Sequence, residues 1–204
     1  MNNLPIVHVV DDDPMFRTAI ARLLRTAGYE TTLYDSSDKF LKTSPSEGSG
    51  CILLDVRMAD LDGLELQRRL TQSGCLLPIV FLTGFGDLPT SVKAIKAGAE
   101  DFLSKPVSRK ILLDAIERAL ARNRDLRSER ERIEGLRVRI STLTPRENQV
   151  FALVVRGKLN KQIAAELGTS ERTIKAHRQG VMKKLGVTSV AGAVSIAERL
   201  GLLS

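Results

Sequence analysis

The first half of the chain alternates short apolar runs with polar turns and amphipathic stretches, and this alternation constrains the fold more than any other feature. The predicted strands cover residues 6–10, 31–34, 51–54, 79–82 and 101–103. Runs of this length are typical of strands, and the stretches between them place apolar residues at helical spacing. Five such repeats predict an α/β domain, in which helices cover both faces of a doubly wound, five-stranded parallel sheet.

Ligands of such sheets bind beyond the carboxyl ends of the strands, so the residues at those ends are the first candidates for a site. Asp11 and Asp12 follow the first predicted strand, Asp55 follows the third, Thr83 follows the fourth and Lys105 the fifth. Carboxylates brought together repel one another, and a divalent cation relieves the repulsion. Oxygen-only ligands favour Mg²⁺. A capping cluster before the first helix is the simpler interpretation of the aspartates near residue 12, but it leaves the other strand ends unexplained.

These residue types suit phosphoryl transfer. A carboxylate held beside a metal can attack phosphorus, and the metal and an ammonium group neutralise the phosphoryl oxygens. We therefore predict a phosphoryl-acceptor site in which Asp55 is the acceptor, Lys105 pairs with the phosphoryl group and the Thr83 hydroxyl hydrogen-bonds to it. The sequence has no glycine loop followed by lysine that would cradle ATP, so ATP is not the expected direct donor.

From residue 108 onwards the pattern is helical. Apolar residues recur every seven positions at Leu112, Ala119, Leu126, Ile133 and Ile140. Two interpretations stay open: a solvated linker helix, or a weak coiled coil that pairs two chains. Asn123, Arg130 and Arg137 occupy the complementary seam positions, which makes any such pairing poor, and Gly135 weakens helix continuity.

The last third of the chain predicts an all-α domain. Thr144 and Glu147 form a capping box, and Asn160 and Ser170 are the expected caps of the next two helices. The tight connection between those two helices is typical of a helix-turn-helix. Residues 141–204 carry 10 basic and 4 acidic side chains, against 14 and 16 in residues 1–120. This asymmetry indicates a nucleic-acid partner for the C-terminal part.

The helix expected over Glu171–Leu185 has two distinct faces. Ile174, His177, Val181 and Leu185 follow helical spacing and form the inward stripe, where His177 is expected to be structural. The opposite face carries Arg172, Lys175, Ala176, Gln179 and Lys183. Basic and amide side chains can reach base edges or phosphates in a major groove, so we predict that this face binds double-stranded DNA.

The expected domains are 1–120, a helical linker over 121–140, and 141–204. The sequence contains no apolar run of about 18 residues, so no membrane span is expected. Neither a signal peptide nor a disulfide framework is evident, which favours a cytoplasmic location.

Residues 4 to about 120 resemble the receiver domain of two-component response regulators. The resemblance rests on Val9-Val10-Asp11-Asp12-Asp13, Leu54-Asp55-Val56-Arg57-Met58, Phe81-Leu82-Thr83-Gly84 and Asp101-Phe102-Leu103-Ser104-Lys105-Pro106. It implies a flavodoxin-like sheet of order 2-1-3-4-5 and phosphorylation of Asp55 by a histidine kinase. It also implies that Mg²⁺ is bound by Asp12, Asp55 and the backbone carbonyl of Arg57, with Asp11 assisting.

The same resemblance assigns Thr83 and Phe102 as a switch pair and implies a cis bond between Lys105 and Pro106. There are two departures. Ala59 stands where the family usually has proline, and Val107 where phenylalanine is common, but neither removes a functional group.

Residues 143–203 resemble a LuxR-type helix-turn-helix domain. The match rests on Leu143-Thr144-Pro145-Arg146-Glu147, Asn160-Lys161-Gln162-Ile163-Ala164, Thr173-Ile174-Lys175-Ala176-His177 and Lys184-Leu185-Gly186-Val187. Gly84-Phe85-Gly86-Asp87 points to the FixJ-like subgroup. This implies a transcription regulator with Glu171–Leu185 as recognition helix, and RNA polymerase is kept as a candidate partner.

Phosphorylation is expected to pair two receivers, so that a homodimer places two helix-turn-helix domains on adjacent half-sites. One alternative is an aspartate-nucleophile phosphatase. Such enzymes usually carry a second carboxylate two residues after the nucleophile, where this chain has Arg57, so the chain is not expected to be an enzyme. The other alternative, a ligand-sensing DNA-binding regulator, would need none of Asp12, Asp55, Thr83 and Lys105.

Overall fold

The computed structural model describes residues 4–43, 48–84 and 88–203. Residues 44–47, in the Ser/Pro/Gly-rich stretch before Gly50, and residues 85–87 of the FixJ-like motif lie outside these ranges. The chain forms two compact units, Met1–Arg127 and Ser128–Ser204, which divide within the predicted linker. Among the described helices, none combines the length and the apolar character that crossing a bilayer requires.

The first unit contains the expected parallel sheet. Its strands are β1 (Ile6–Val10), β2 (Glu30–Tyr34), β3 (Gly50–Leu54), β4 (Ile79–Thr83) and β5 (Asp101–Ser104). The strand order is β2-β1-β3-β4-β5 and each neighbouring pair is parallel, which confirms the flavodoxin-like order. Because parallel strands in register end at one edge, the residues that follow them are brought together there.

Helices cover both faces of this sheet. They are α1 (Pro14–Thr26), α2 (Ser37–Thr43), α3 (Gly63–Gln72), α4 (Leu88–Lys96) and the first part of α5 (Arg109–Ser141). One core cluster joins the sheet to α1 and α5, through Leu24 and Ile116 among others. The other joins it to α2, α3 and α4, through Phe40, Leu66 and Ala94. Two buried faces explain why β1, β3 and β4 are apolar almost throughout.

Helix α5 is continuous through Gly135. Leu112 and Ala119 are buried in the first unit's core, so these two positions of the seven-residue repeat cannot serve a seam between chains. Asn123 is buried as well: its side chain accepts from the Gly50 N–H at 3.1 Å and donates to the Leu76 carbonyl at 2.8 Å. Its polarity is thus explained by contacts inside the unit.

The second unit is helical, as expected. Beyond the end of α5 it contains α6 (Pro145–Val155), α7 (Asn160–Glu166), α8 (Glu171–Leu185) and α9 (Val190–Arg199). The predicted capping box of Thr144 and Glu147 is present at α6. The prediction that Asn160 caps α7 is wrong, since Leu159 is the N-cap and Asn160 is the first helical residue. The Gln162 side chain accepts from the Leu159 N–H at 2.8 Å and serves the cap instead.

Candidate functional site

Three charged side chains meet at the carboxyl edge of the sheet. The Lys105 ammonium lies 2.5 Å from Asp11 Oδ2 and 2.7 Å from Asp55 Oδ2. Its nitrogen also lies 3.8 Å from the centre of the Phe16 ring, a cation–π contact that sequence analysis did not anticipate. The sequence indicated this contact only through the position of Phe16, which lies on the inward face of the helix that Asp13 caps.

Each of these residues directly follows a strand and is held by one more backbone hydrogen bond of the parallel ladder. The Asp11 N–H donates to the backbone carbonyl of Tyr34 at 3.1 Å. The Asp55 N–H donates to the carbonyl of Val10 at 3.0 Å, and the Lys105 N–H donates to the carbonyl of Thr83 at 2.8 Å. The sheet therefore fixes the backbone of all three. The bond between Lys105 and Pro106 is cis, as expected.

Burial and charge shift two pKa values at this edge. Asp11 is only 2% exposed, and desolvation raises the pKa of its carboxyl group although Lys105 opposes the shift. Burial by itself would lower the pKa of Lys105, but the hydrogen bonds to Asp11 and Asp55 outweigh it and the net pKa is raised. The Lys105 side chain thus stays protonated and faces the Asp55 side chain.

Asp12 and Arg57 lie at the same edge but are exposed. Asp12 Oδ2 accepts from the backbone N–H of Ala59 at 3.1 Å, and Asp55 Oδ1 accepts from the N–H of Arg57 at 3.2 Å. Ala59 is one of the departures from the family pattern. Proline lacks an N–H, so the usual residue could not make this hydrogen bond.

The donors available to a metal here are oxygens: the carboxylates of Asp11, Asp12 and Asp55 and the Arg57 carbonyl, a set that suits Mg²⁺ in kind. No three His, Cys, Asp or Glu side chains of the described ranges converge as a ready-made metal site. Among these carboxylates, Asp11 and Asp55 are bonded to the Lys105 ammonium, and Asp12 is bonded to the Ala59 N–H.

The two other predicted receiver residues lie on strands β4 and β5. Thr83 is 1% exposed at the end of β4. Phe102 is half-buried on β5, paired in register with Phe81, and their ring centroids are 5.9 Å apart. Gly63 is a residue that sequence analysis missed. A Cβ atom there would lie 2.3 Å from the Asp55 carbonyl oxygen, so α3 starts directly against the backbone of Asp55.

Helix α8 presents the face expected from its sequence. Ile174, Val181 and Leu185 are buried, and His177 is half-buried on the same side. The five predicted DNA-contacting residues are all exposed, namely Arg172, Lys175, Ala176, Gln179 and Lys183. Ser170 caps the helix start by accepting from the Thr173 N–H at 3.1 Å, and Gly186 ends the helix in the left-handed conformation with φ of 67°.

Reciprocal hydrogen bonds join the end of α5 to the end of α8. Arg139 donates to the Leu185 carbonyl and Lys184 donates to the Thr142 carbonyl, both at 3.1 Å. Lys184 also lies 2.5 Å from Glu147, whose pKa is lowered to about 2, chiefly by that hydrogen bond. Sequence analysis missed Arg139 because it lies in a charge-rich stretch; its position beside the repeat residue Ile140 was the only signal.

Comparison with known proteins assigns both parts of the chain. Residues 7–117 match the family described as response regulator receiver domain, and residues 141–197 match the family described as bacterial regulatory proteins, luxR family. Asp55, Thr83 and Lys105 fall within the first match, and α8 falls within the second.

Full-length relatives share this organisation. The response regulator protein TodT of Pseudomonas putida is 42% identical over 96% of this chain and 86% of its own length. The transcriptional regulatory protein FixJ of Bradyrhizobium diazoefficiens is 38% identical, with 97% of each chain covered. Among solved structures, response regulator StyR is similar with a TM-score of 0.82 and 46% identity, covering 97% of this chain and 100% of its own.

The arrangement of the sheet edge, the exposed polar face of α8 and the relatives matched over nearly their whole length agree with one another. The family is one of transcription regulators rather than a class of enzymes. The chain belongs to the two-component response regulators, as a FixJ-like member that joins a receiver domain to a LuxR-type DNA-binding domain.

Proposed function

We propose that Asp55 accepts a phosphoryl group from the phosphohistidine of a histidine kinase, and that this modification controls binding of α8 to DNA. The observation that carries the proposal is the position of Lys105, whose ammonium lies 2.7 Å from Asp55 and 2.5 Å from Asp11. An Asp55 oxygen attacks phosphorus, the P–N bond breaks and the kinase histidine keeps the bonding electrons. Lys105 then faces the new phosphoryl oxygens.

Asp12, Asp55 and the Arg57 carbonyl, with Asp11 assisting, are the residues that would hold Mg²⁺. When bound, the cation supplies positive charge against the phosphoryl oxygens. Binding it competes with two contacts of this chain, the Lys105 pair with Asp11 and Asp55 and the Ala59 hydrogen bond to Asp12. The protein's own residues thus set both the position and the affinity of the site.

The phosphoryl group adds about −1.5 to −2 charges, which act locally. Thr83 and Phe102 are the proposed switch, in which the hydroxyl moves towards phosphate and the ring fills the space behind it. Helices α4 and α5 carry exposed apolar side chains whose arrangement could change with the switch: Val92 and Ile95 of α4 are 42% and 47% exposed, and Ile111 of α5 is 51% exposed. We expect two phosphorylated receivers to pair through this apolar face, and RNA polymerase stays a candidate partner of the resulting dimer.

Labelling tests the chemistry. Incubation with Mg²⁺ and a small acyl-phosphate donor should label the native chain, and Asp55→Asn should abolish the label. Asp12→Ala should weaken it, because that carboxylate belongs to the proposed metal site. Asp38→Asn, a change at an exposed carboxylate on α2, is the matched control and should label normally. Undiminished labelling of the Asp55→Asn chain would disprove the assignment.

DNA binding tests the recognition helix. Lys175→Ala should weaken specific binding by about 1–3 kcal/mol if the side chain reads a base. If it contacts only phosphate, affinity should fall for all sequences and the salt dependence should become less steep. Arg199→Ala, at the end of α9, removes an exposed positive charge outside α8 and serves as the control. Unchanged affinity of the Lys175 variant at every site would show that this face is wrongly assigned.

Sedimentation tests the coupling. Phosphorylation should raise the dimer population and the affinity for an operator with two half-sites about one DNA turn apart. Ile95→Glu, on the exposed α4 face, should reduce dimerisation without affecting labelling of Asp55. A phosphorylated chain that stays monomeric at micromolar concentration yet binds DNA more tightly would exclude pairing as the mechanism.

A further inference from the structure

Three side chains contact the Lys105 ammonium at the carboxyl edge of the sheet. Asp11 Oδ2 lies 2.5 Å from its nitrogen, Asp55 Oδ2 lies 2.7 Å away, and the centre of the Phe16 ring lies 3.8 Å away. The Lys105 side chain is only 17% exposed, so solvent screens these contacts weakly. The two carboxylates belong to the proposed phosphoacceptor site, whereas the chemistry proposed for that site gives the ring no task.

The first turn of α1 and the receiver core hold the Phe16 ring in place. The Asp13 side chain caps the helix by accepting hydrogen bonds from the Met15 N–H at 2.8 Å and the Phe16 N–H at 3.2 Å. The ring is half-buried and packs against the core cluster that joins the sheet to α1 and α5. The cap therefore fixes the backbone of Phe16 and the core fixes its ring, which gives the ring a defined place beside Lys105.

An aromatic ring attracts an ammonium group in a way that suits phosphoryl transfer. The face of the ring carries partial negative charge but no formal charge. The contact with Phe16 therefore leaves the charge of Lys105 intact, whereas the two carboxylates offset it. The ring face also needs no particular N–H group, so the contact can persist while the three ammonium donors turn from a carboxylate to phosphoryl oxygens. Holding the side chain in one place opposes the large rotamer freedom of lysine, and the ring offsets part of that cost.

We propose that Phe16 is a positioning residue for phosphoryl transfer, whose ring holds the Lys105 ammonium beside Asp55 where the phosphoryl oxygens arrive. Phe16 acts through Lys105 and contacts neither the donor nor phosphorus. The inference rests on the phosphoacceptor role proposed for Asp55. With acetyl phosphate as donor, an Asp55 oxygen attacks phosphorus, the P–O bond to the acetyl group breaks and acetate leaves with the bonding electrons. Lys105, held by the ring, offsets the negative charge of the transferring group.

Replacement of the ring tests its contribution. In the full-length chain with acetyl phosphate and Mg²⁺, Phe16→Leu should lower the rate constant for labelling of Asp55 about fivefold, which corresponds to about 1 kcal/mol. Phe16→Tyr keeps the aromatic face and should label at close to the native rate. Denaturant unfolding of both variants shows whether stability changes separately from the labelling rate.

Fluorinated phenylalanines at position 16 separate the electrostatic contact from packing. Fluorine withdraws electron density from the ring face and changes the size of the ring little, so the attraction for the ammonium weakens step by step. The logarithm of the labelling rate constant should therefore fall progressively as the ring carries one, three and five fluorine atoms. The same series at Phe40 is the matched control and should leave the rate unchanged, because Phe40 is fully buried in the other core cluster of the receiver.

A measurement without donor or Mg²⁺ reports the contact itself. The ring current of Phe16 should move the NMR signals of the Lys105 Hε protons upfield in the native chain, and five fluorine atoms on the ring should alter this shift. A native chain that labels on Asp55, but whose labelling rate does not depend on the number of fluorine atoms at position 16, would overturn the positioning role and leave the proposed function standing. Failure of the native chain to label, or undiminished labelling of Asp55→Asn, would overturn both. The fluorinated series decides the matter even if Phe16→Leu does not fold.

Discussion

The two units place their predicted functional groups in opposite environments. In the receiver, Asp11 and Lys105 are buried or half-buried and bonded to each other, so a small displacement changes the chemistry. In the helical unit, Lys175 and Gln179 are exposed to solvent, so their ability to contact DNA would depend on how firmly the rest of the unit holds α8 in place. We therefore expect the receiver to be sensitive to crowding near its buried site. The DNA-binding unit should instead be sensitive to loss of the contacts that support α8.

Crowding at Gly63 gives the largest expected effect. Because an added Cβ would lie 2.3 Å from the Asp55 carbonyl oxygen and 3.1 Å from Phe81, Gly63→Ala must displace α3 or the loop after Asp55. We expect a loss of about 3 kcal/mol of receiver stability, together with impaired phosphorylation. Denaturant unfolding and acyl-phosphate labelling measure the two effects.

Gly135→Ala is the matched control for this prediction. Gly135 lies within α5, and an added Cβ would contact nothing within 4 Å. The same substitution there should stabilise the helix by up to about 1 kcal/mol and leave labelling unchanged. Equal destabilisation by both changes would contradict the crowding argument.

This contrast also explains what sequence could predict. The strand ends could be predicted from the pattern of short strands and amphipathic stretches, and this places Asp11, Asp55 and Lys105 at one edge of the sheet, where the structure brings them together. The outer face of α8 followed from helical spacing. Gly63 could not be found in this way, because its importance comes from a contact with a backbone atom that no residue pattern encodes. The role of Arg139 could not be predicted for a related reason. In the sequence it is one of many arginines in a charged helix, and only its hydrogen bond to the Leu185 carbonyl distinguishes it from them.

The two units should also lose stability in different pH ranges. His8 is buried beside Tyr34 and Phe40, and desolvation lowers its pKa from 6.5 to about 4. Between these values the unfolded chain binds the extra proton, so receiver stability falls as pH drops from about 6.5 to 4, by up to about 1.4 kcal/mol per pH unit. Glu147 behaves differently: its pKa falls from 4.5 to about 2, so its contribution is lost only as pH falls through that lower range.

Hydrogen exchange on the full chain, corrected for the intrinsic effect of pH, can follow both units at once. Lowering the pH from 7 to 5 should reduce protection in the receiver core and leave the core around Val181 unchanged. His8→Phe keeps an aromatic ring and removes the titration, so it should flatten the receiver's response. A parallel loss of protection in both units would contradict the assignment to His8.

Removing the support behind α8 should have a smaller but clear effect. Leu136 and Ile140 pack against the core that contains Val181 and Leu185, and Arg139 donates to the Leu185 carbonyl. A 141–204 fragment lacks all three residues and should be about 2 kcal/mol less stable than a 128–204 fragment, with weaker DNA binding. Thermal unfolding and DNA titration of the two fragments make the comparison, and equal stability would show that the end of α5 is dispensable.

The smallest expected effect concerns the receiver's departure from its family at Ala59. The Ala59 N–H holds Asp12 at 3.1 Å, and this hydrogen bond must be given up before Asp12 can serve as a metal ligand. Ala59→Pro removes the donor, so the chain without metal loses a competing contact worth about 1 kcal/mol and Mg²⁺ should bind up to about fivefold more tightly. Calorimetric titration with Mg²⁺ measures this directly, without reference to phosphorylation.

Ala59→Gly retains the N–H and should leave the affinity near that of the native chain, which separates the lost donor from any change in side-chain size. Weaker Mg²⁺ binding by the proline variant would instead mean that the Ala59 contact orients Asp12 for the metal, and the two units would then share a rule: in each, a backbone contact supports the side chain that meets the ligand.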